Sequence, residues 1–187
     1  MANQIVTSKP CISVVMPTLN SAGHIERSLT SLLEQECLQF ELLIVDGGST
    51  DGTLQAIERL FDGSTIGHRV IDDPGSGIYG AINRGIREAR GDWIYVMGSD
   101  DMLLGPEVFA SFLPVLRDAD PRVLVVHGDV WIEDPGYRYG QPWDLARFLE
   151  RNISHQSAFY RREAIVRLGI EYNQSYPLYA DWDYNIK

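Results

Sequence analysis

Carboxylates recur where short apolar runs give way to glycine, proline or serine. Asp46 precedes Gly47 and Gly48, Asp72 and Asp73 precede Pro74, Asp100 and Asp101 follow Gly98 and Ser99, and Asp129 follows the run that starts at Val123. One acid at such a place is an ordinary turn or helix-cap residue, and Asp129 alone carries little weight. The succession points to chemistry. Vicinal acids such as Asp100 and Asp101 can hold Mg2+ or Mn2+, hard ions that take oxygen ligands and leave positions open for phosphate oxygens. Such an ion offsets the protein's repulsion towards a diphosphate and stabilises the charge that builds on it as it departs. Asp46 and Asp73 can accept hydrogen bonds from a base N–H or from ribose hydroxyls. The glycines at 47, 48 and 52 let the backbone come close to a ligand. Group transfer from a nucleoside diphosphate is the first reaction class these residues suggest.

A rival chemistry stands at Gly75-Ser-Gly-Ile-Tyr-Gly80, a literal G-x-G-x-x-G ahead of a helical pattern, with Asp100 20 residues beyond Gly80. On paper this is the fingerprint of an NAD-type dinucleotide-binding oxidoreductase. The first glycine should leave a strong apolar strand directly, whereas Asp72, Asp73 and Pro74 intervene and place negative charge where pyrophosphate would lie. Residues 11–60 would also be an unexplained extra strand–helix–strand unit.

The elements that must position these acids alternate. Cys11 to Met16 is a short β-branched run stopped by Pro17 and reads as a buried strand. Ile25, Leu29, Leu32 and Leu33 form one stripe of a helix over His24 to Glu36, with Ser21 as its cap. Strands follow at Phe40 to Asp46, His68 to Ile71, Trp93 to Met97 and Val123 to Asp129, and helices at Thr53 to Phe61 and Tyr79 to Ala89 and from Pro106. This spacing predicts an α/β fold with a mainly parallel sheet, which binds ligands outside the carboxyl ends of its strands. The acids fall on that edge. After Asp129 the alternation is lost and aromatics accumulate, among them Trp143, Phe148, Phe159, Tyr160, Tyr172, Tyr176, Tyr179, Trp182 and Tyr184. They serve either as packing or as a loop-borne surface for stacking on sugars.

The 187 residues carry 16 Lys+Arg against 26 Asp+Glu, a formal charge of −10. No basic stripe is present for phosphate neutralisation, which argues against nucleic acid as a partner. Apolar runs such as Val123 to Val126 are far short of the roughly 20 residues that a membrane span needs. Met1 to Pro10 lacks the apolar core of a secretory signal. Cys11 and Cys37 have no metal-ligand spacing and read as reduced thiols of a cytoplasmic protein, a disulfide being the alternative.

Val15-Met-Pro-Thr-Leu-Asn20, Asp46-Gly-Gly-Ser-Thr-Asp-Gly-Thr53, Gly77-Ile-Tyr-Gly-Ala-Ile-Asn-Arg-Gly85, Gly91-Asp-Trp-Ile-Tyr-Val-Met-Gly-Ser-Asp-Asp101 and Ala180-Asp-Trp-Asp183, in this order, resemble glycosyltransferase family 2 along nearly the whole chain. The resemblance implies a GT-A, Rossmann-like three-layer α/β/α domain, a nucleotide-sugar donor such as a UDP-sugar, Mg2+ or Mn2+, and inversion at the anomeric carbon. The branch it most resembles builds bacterial surface polysaccharides. It implies a hexosyltransferase with a glycan or lipid-linked acceptor, at work in the cytoplasm or peripherally at the inner face of the cell membrane.

Carried onto this sequence, Pro17, Thr18, Asn20 and Asp46 would hold the nucleoside, Asp73 the base or ribose, and Asn83 would join the donor contacts. Asp100 matches the second acid of the family's D-x-D metal motif, with Asp101 as its helper. Asp181 matches the catalytic base; Asp183 is a rival base, and Asp181 also suits a helix cap. Trp182, His155 and Arg162 stand as donor or acceptor contacts, against a buried structural role for His155 and a solvated helix end for Arg161 and Arg162. Gly98 replaces the first metal acid, Gly75 and Gly80 stand where relatives often have Asp, and Ala180 replaces a Glu. These departures keep a non-catalytic nucleotide-sugar-binding module as the alternative. Residues 1–187 read as one domain, a donor half at about 10–101 and an acceptor-side half at about 102–187. Lys187 comes six residues after Asp181, so a helix there needs tertiary packing, and truncation relative to the family is expected.

Overall fold

The computed structural model describes residues 9–140, 146, 150–176 and 178–187; Trp143 and Phe148 lie outside them. The first part alternates as β1 (Ile12–Thr18), α1 (Ile25–Leu33), β2 (Phe40–Asp46), α2 (Thr53–Phe61), β3 (His68–Asp72), α3 (Gly77–Glu88), β4 (Trp93–Val96) and α4 (Val108–Asp118). The second part holds β5 (Val125–His127), the hairpin β6 (Val130–Ile132) and β7 (Tyr137–Tyr139), a 3-10 turn at His155–Ser157, and β8 (Ala158–Arg161). It ends with α5 (Arg162–Leu168) and α6 (Ala180–Ile186).

Six strands form one sheet in the order β3-β2-β1-β4-β8-β5. β3, β2, β1 and β4 run parallel, and β8 runs antiparallel between β4 and β5. The twofold side-chain period of the strands splits the core into two layers. Ile12, Val14 and Met16 face α1, α2 and α4, where Leu29, Ile57 and Phe109 are buried. Val15, Val45 and Val96 face α3, α5 and α6, where Ile86, Ile165 and Tyr184 are buried. Each fully buried side chain of this kind contributes about 1.5–3 kcal/mol. The approach of α3 is close at Gly85, where a Cβ would lie 2.3 Å from Val15 Cγ1. The result is an α/β/α arrangement with a mostly parallel sheet, as the element spacing predicts.

Several expectations need correction. β1 does not stop at Pro17 but runs on to Thr18 beside Asp46. The proline costs no ladder bond: Val15 bonds towards β4 through Met97 N–H, so Pro17 faces the same side, where pairing with β4 has ended. Ser21 is not the cap of α1, whose N-cap is His24 with no side-chain capping bond; the Ser21 carbonyl accepts from the N–H groups of His24 and Ile25 in the preceding turn, and its hydroxyl turns to Ser99. α4 starts at Val108, two residues past Pro106. β5 ends at His127, so Asp129 lies at the entrance to the hairpin. The aromatics divide: Phe159, Tyr160, Tyr172 and Tyr184 are core, whereas Tyr137, Tyr176 and Tyr179 are exposed. Tyr184 and Ala180 anchor the short α6 in the core, the tertiary support its length demands. The thiols of Cys11 and Cys37 are both free.

Candidate functional site

The chain builds β1, β2 and β3 outward in one direction and then returns to place β4 on the other side of β1. At such a switch point the loops after the two central strands diverge and leave a crevice. Here those loops are residues 19–22 after β1 and residues 97–103 after β4, flanked by residues 47–52 after β2. The fingerprint at Gly75–Gly80 instead follows β3, the strand at the sheet's edge, away from the switch point that a dinucleotide-binding site uses.

The loops are stitched by short polar side chains. Asn20, in the left-handed region at φ 49, accepts from Thr50 N–H at 2.9 Å and donates its own N–H to Ser49 Oγ at 2.9 Å. Asp51 accepts from Ala22 N–H and from the Thr53 hydroxyl, and the latter bond is the main reason its carboxyl lies below its ordinary range. Ser21 and Ser99 hydroxyls meet at 2.9 Å and tie the β1 and β4 loops together. Asp46, 2 % exposed, accepts from Gly48 N–H at 3.0 Å, Ser49 N–H at 2.9 Å and the Ser49 hydroxyl. Its visible task is to shape the Gly47–Ser49 turn. Asp73 lies beside it, donating its N–H to Asp46 O at 2.9 Å and accepting from the Ser76 hydroxyl at 2.6 Å. Pro17 lines the core beneath, and Thr18 Oγ1 is buried without a hydrogen-bond partner among the described residues.

Asp100 and Asp101 converge on Gly98. A Cβ built on that glycine would meet Asp100 Oδ1 at 2.7 Å and Asp101 Oδ2 at 2.8 Å, so the space of the missing first acid is used by the two that follow. Asp101 Oδ2 accepts from Gly98 N–H at 2.9 Å, and Oδ1 accepts from Gln156 Nε2 at 3.3 Å. Gln156 is in turn fixed by Tyr95, whose hydroxyl donates to its carbonyl at 2.7 Å; burial pushes that phenol well up and keeps it a neutral donor. Two hard oxygens around one point suit Mg2+ or Mn2+. No group of three or more His, Cys, Asp or Glu residues suited to a metal occurs among the described residues, so ligand phosphate oxygens would have to complete the shell, as is usual for Mg2+.

On the β8 side, the 3-10 turn brings His155 to Asp181. His155 Nδ1 lies 3.6 Å from Asp181 Oδ2. This approach is the largest influence on the carboxyl, lowering it from its ordinary value against the opposing effect of burial. Asn152 Nδ2 donates to the same oxygen at 2.6 Å. Behind it, Asn185 Nδ2 donates to Asn152 Oδ1 at 2.7 Å, and the Tyr160 hydroxyl donates to Asn185 Oδ1 at 2.7 Å. A carboxylate only accepts, which sets the direction of this whole chain of donors. Asp183, by contrast, pairs with Lys187 at 2.5 Å. Tyr179, just ahead of α6, holds a left-handed φ of 67, one of the strained conformations that cluster at functional sites. Trp182, half-buried, sits on the first turn between the two acids.

Two expected site residues are elsewhere. Arg162 follows β8, which is antiparallel, so it emerges at the amino end of β4; its Nε donates to Gly91 O at 2.8 Å. That is the edge opposite the acids. Asn83 is 2 % exposed and exchanges two 2.8 Å hydrogen bonds with the backbone of Tyr172, so it clamps α3 to the segment before α6 and is not presented to a ligand. Asn152, Asn185, Gln156 and Tyr160 were missed. Only Gln156 had a signal, its place beside His155 in the Ser154–Tyr160 stretch; the others are polar residues without spacing.

Comparison with known proteins agrees with this geometry. The sequence model of Glycosyl transferase family 2 matches residues 13–169. A PGL/p-HBAD biosynthesis glycosyltransferase of Mycobacterium bovis is 41 % identical over 181 residues, covering 95 % of this chain and 69 % of its own length. Among solved structures, S. aureus TarS in complex with UDP has a TM-score of 0.76 at 21 % identity, over 94 % of this chain and 54 % of that one. The mannosyltransferase PcManGT from Pyrobaculum calidifontis, in complex with GDP-Man and Mn2+, has a TM-score of 0.70 at 25 % identity, over 90 % of this chain and 49 % of that one. The chain thus spans about half the length of these two structures. With the family's model matched over residues 13–169 and a relative 41 % identical along 95 % of the chain, the chain belongs to glycosyltransferase family 2.

Proposed function

We propose that this chain is the donor-binding and base-bearing part of an inverting glycosyltransferase, moving a hexose from a nucleoside diphosphate sugar, a UDP-sugar in the first instance, to a hydroxyl of a glycan or lipid-linked acceptor. The observation that carries the reading is the link between two acid groups: Asp100 and Asp101 converge at Gly98, Asp101 accepts from Gln156, and the neighbouring residue of that turn, His155, reaches Asp181. The relatives named above support both the transfer and its place in surface-glycan synthesis. No helix of the described residues is long and apolar enough to cross a membrane, and a peripheral place at the inner face of the membrane fits the lipid-linked acceptor.

The loops after β1, β2 and β3 orient the nucleoside, with Asn20 and Asp73 at the surface and Asp46 shaping the turn between them. Asp100 and Asp101 would hold Mg2+ or Mn2+, which when bound supplies Lewis-acid stabilisation of the departing diphosphate. The acceptor oxygen bonds to the anomeric carbon as the bond to the diphosphate oxygen breaks on the opposite face. Asp181 takes the acceptor's proton. Its Oδ2 is anchored by Asn152, so Oδ1 is the oxygen that receives it, and the lowered carboxyl is ionised and ready at neutral pH. Asp183, neutralised by Lys187, is the weaker candidate.

Calorimetric titration with UDP and a panel of nucleotide sugars, with and without Mn2+, tests the donor site. Asp100→Ala should lose the metal-dependent part of donor affinity; an unaltered metal dependence contradicts the assignment. Gly98 in place of an acid favours the second reading, a binding module. That reading wins if donor binds but no nucleoside diphosphate is released with any acceptor.

A further inference from the structure

The candidate base is oriented by side chains that would each turn freely on their own. The backbone of α6 is fixed, since Ala180 and Tyr184 are buried in the core, but the terminal torsion of an Asp or Asn side chain is broad and roughly two-fold. Asn152 lies in the irregular stretch before the 3-10 turn. Its 2.6 Å bond to Asp181 Oδ2 therefore orients the carboxylate only if the amide is itself held. Asn185 holds it, donating to Asn152 Oδ1 at 2.7 Å, and Asn185 has the same freedom. Its own Oδ1 accepts from the Tyr160 hydroxyl at 2.7 Å, and there the freedom ends.

Tyr160 belongs to the sheet. It pairs with Ile94 of β4 and with Val125 of β5, is 3 % exposed, and packs edge-on against Tyr184 with ring centroids 5.2 Å apart. A ring buried on an inner strand has one place for its hydroxyl. Burial pushes the phenol well up, and the Asp181 carboxylate adds to the effect, so Tyr160 stays a neutral donor wherever a carboxylate titrates. Tyr184 is as deeply buried, yet its hydroxyl has no hydrogen-bond partner among the described residues. Of these two packed phenols, only Tyr160 is wired to the base.

The structure assigns Tyr160 a positioning role in the transfer: through Asn185 and Asn152 it fixes the direction of the Asp181 carboxylate, so that Oδ1 and not Oδ2 meets the acceptor's proton. Side-chain amides donate and accept hydrogen bonds without titrating, so the network conveys orientation and not a proton. The inference rests on the transferase reading and adds to it a residue that acts on the reaction without touching substrate.

Two readouts on the intact protein test it. Tyr160→Phe and Asn185→Ala each break the network, and Tyr184→Phe is the control. The first readout is a carbon-13 NMR titration of the Asp181 carboxyl, assigned through Asp181→Asn. His155 and Tyr172 also face this carboxylate, and neither changes in any variant. A bond that favours the ionised form holds the pKa down, so the midpoint should rise in Tyr160→Phe and Asn185→Ala and stay in Tyr184→Phe. The second readout is nucleoside diphosphate release with acceptor. In both network variants kcat should fall about 3- to 10-fold, the rate equivalent of one neutral hydrogen bond, with UDP affinity unchanged. Because Tyr160 acts through Asn152, the double variant Tyr160→Phe/Asn152→Ala should turn over at the rate of Asn152→Ala alone. A purely structural role gives losses that add, a lowered melting temperature and an unmoved carboxyl. An unmoved midpoint in both network variants, or additive losses in the double variant, overturns the inference. If the midpoints move as stated while wild type releases no nucleoside diphosphate with any acceptor, it is the transferase reading that fails and the positioning network that stands.

Discussion

Removing the amide that anchors the candidate base is the sharpest perturbation the geometry offers. Asn152 Nδ2 donates to Asp181 Oδ2 at 2.6 Å, and the Asp181 side chain is 25 % exposed, so this is a partly screened, charge-assisted hydrogen bond. Bonds to charged groups contribute about 1.5–3 kcal/mol, and each 1.36 kcal/mol on a barrier is a factor of ten in rate. Asn152→Ala should therefore lower kcat/KM about 10- to 100-fold, with most of the loss in kcat. The bond favours the ionised carboxylate, so its loss raises the Asp181 pKa and moves the acid limb of the pH profile upward. His155, Tyr160 and Tyr172 also face this group, and none of them changes in the variant. The assay is nucleoside diphosphate release with acceptor across a pH series, beside a thermal melt. A kcat/KM within twofold of wild type, with an unmoved acid limb, refutes the reasoning; a purely structural role would lower the melting temperature without shifting that limb.

Other consequences concern single residues. Gly85→Ala places a methyl 2.3 Å from Val15 Cγ1 and should destabilise by about 1–3 kcal/mol, whereas Gly23→Ala, with nothing within 4 Å, should not; equal melting temperatures contradict the close packing of α3 on the sheet. Arg162→Ala removes a bond to Gly91 O at the far edge, so it should cost about 1 kcal/mol of stability and leave donor affinity unchanged; weakened donor binding would restore it to the site. His155→Gln removes the main influence that lowers Asp181. Because the folded carboxyl lies below its unfolded value of about 3.9, that stabilisation is complete above this pH and is lost as pH falls through the folded value. The gap in urea midpoint between wild type and variant should be present at pH 7 and shrink below about pH 4; a gap independent of pH refutes it.

The strands β1, β2 and β4 were legible because each is a short apolar run closed by a proline, an acid or a glycine, and the common spacing of the elements from β1 to β4 implies parallel strands. β8 was not. Ala158–Arg161 carries no periodicity that tells its direction, and one antiparallel strand moves the residue after it to the opposite edge, which is why Arg162 stood among the donor or acceptor contacts. Asn83 was misplaced for a related reason: a helix pattern shows which face is buried but not that a buried amide meets the Tyr172 backbone. The reading of Asp46, Asp73 and Asp100 at one edge depended only on the parallel strands and needed no tertiary detail. Asn152 and Asn185 could not be found beforehand, since their importance arises from contact with Asp181 across the fold and leaves no spacing in the chain.

The central claim is that Asp181 takes the acceptor's proton in a transfer driven from a nucleotide sugar. Measuring donor affinity and nucleoside diphosphate release side by side for wild type and Asp181→Asn tests it most directly. A positioned general base contributes about 10²- to 10⁴-fold. Asp181→Asn should therefore bind donor within twofold of wild type while release falls by at least about 100-fold; release at the wild-type rate would contradict the account.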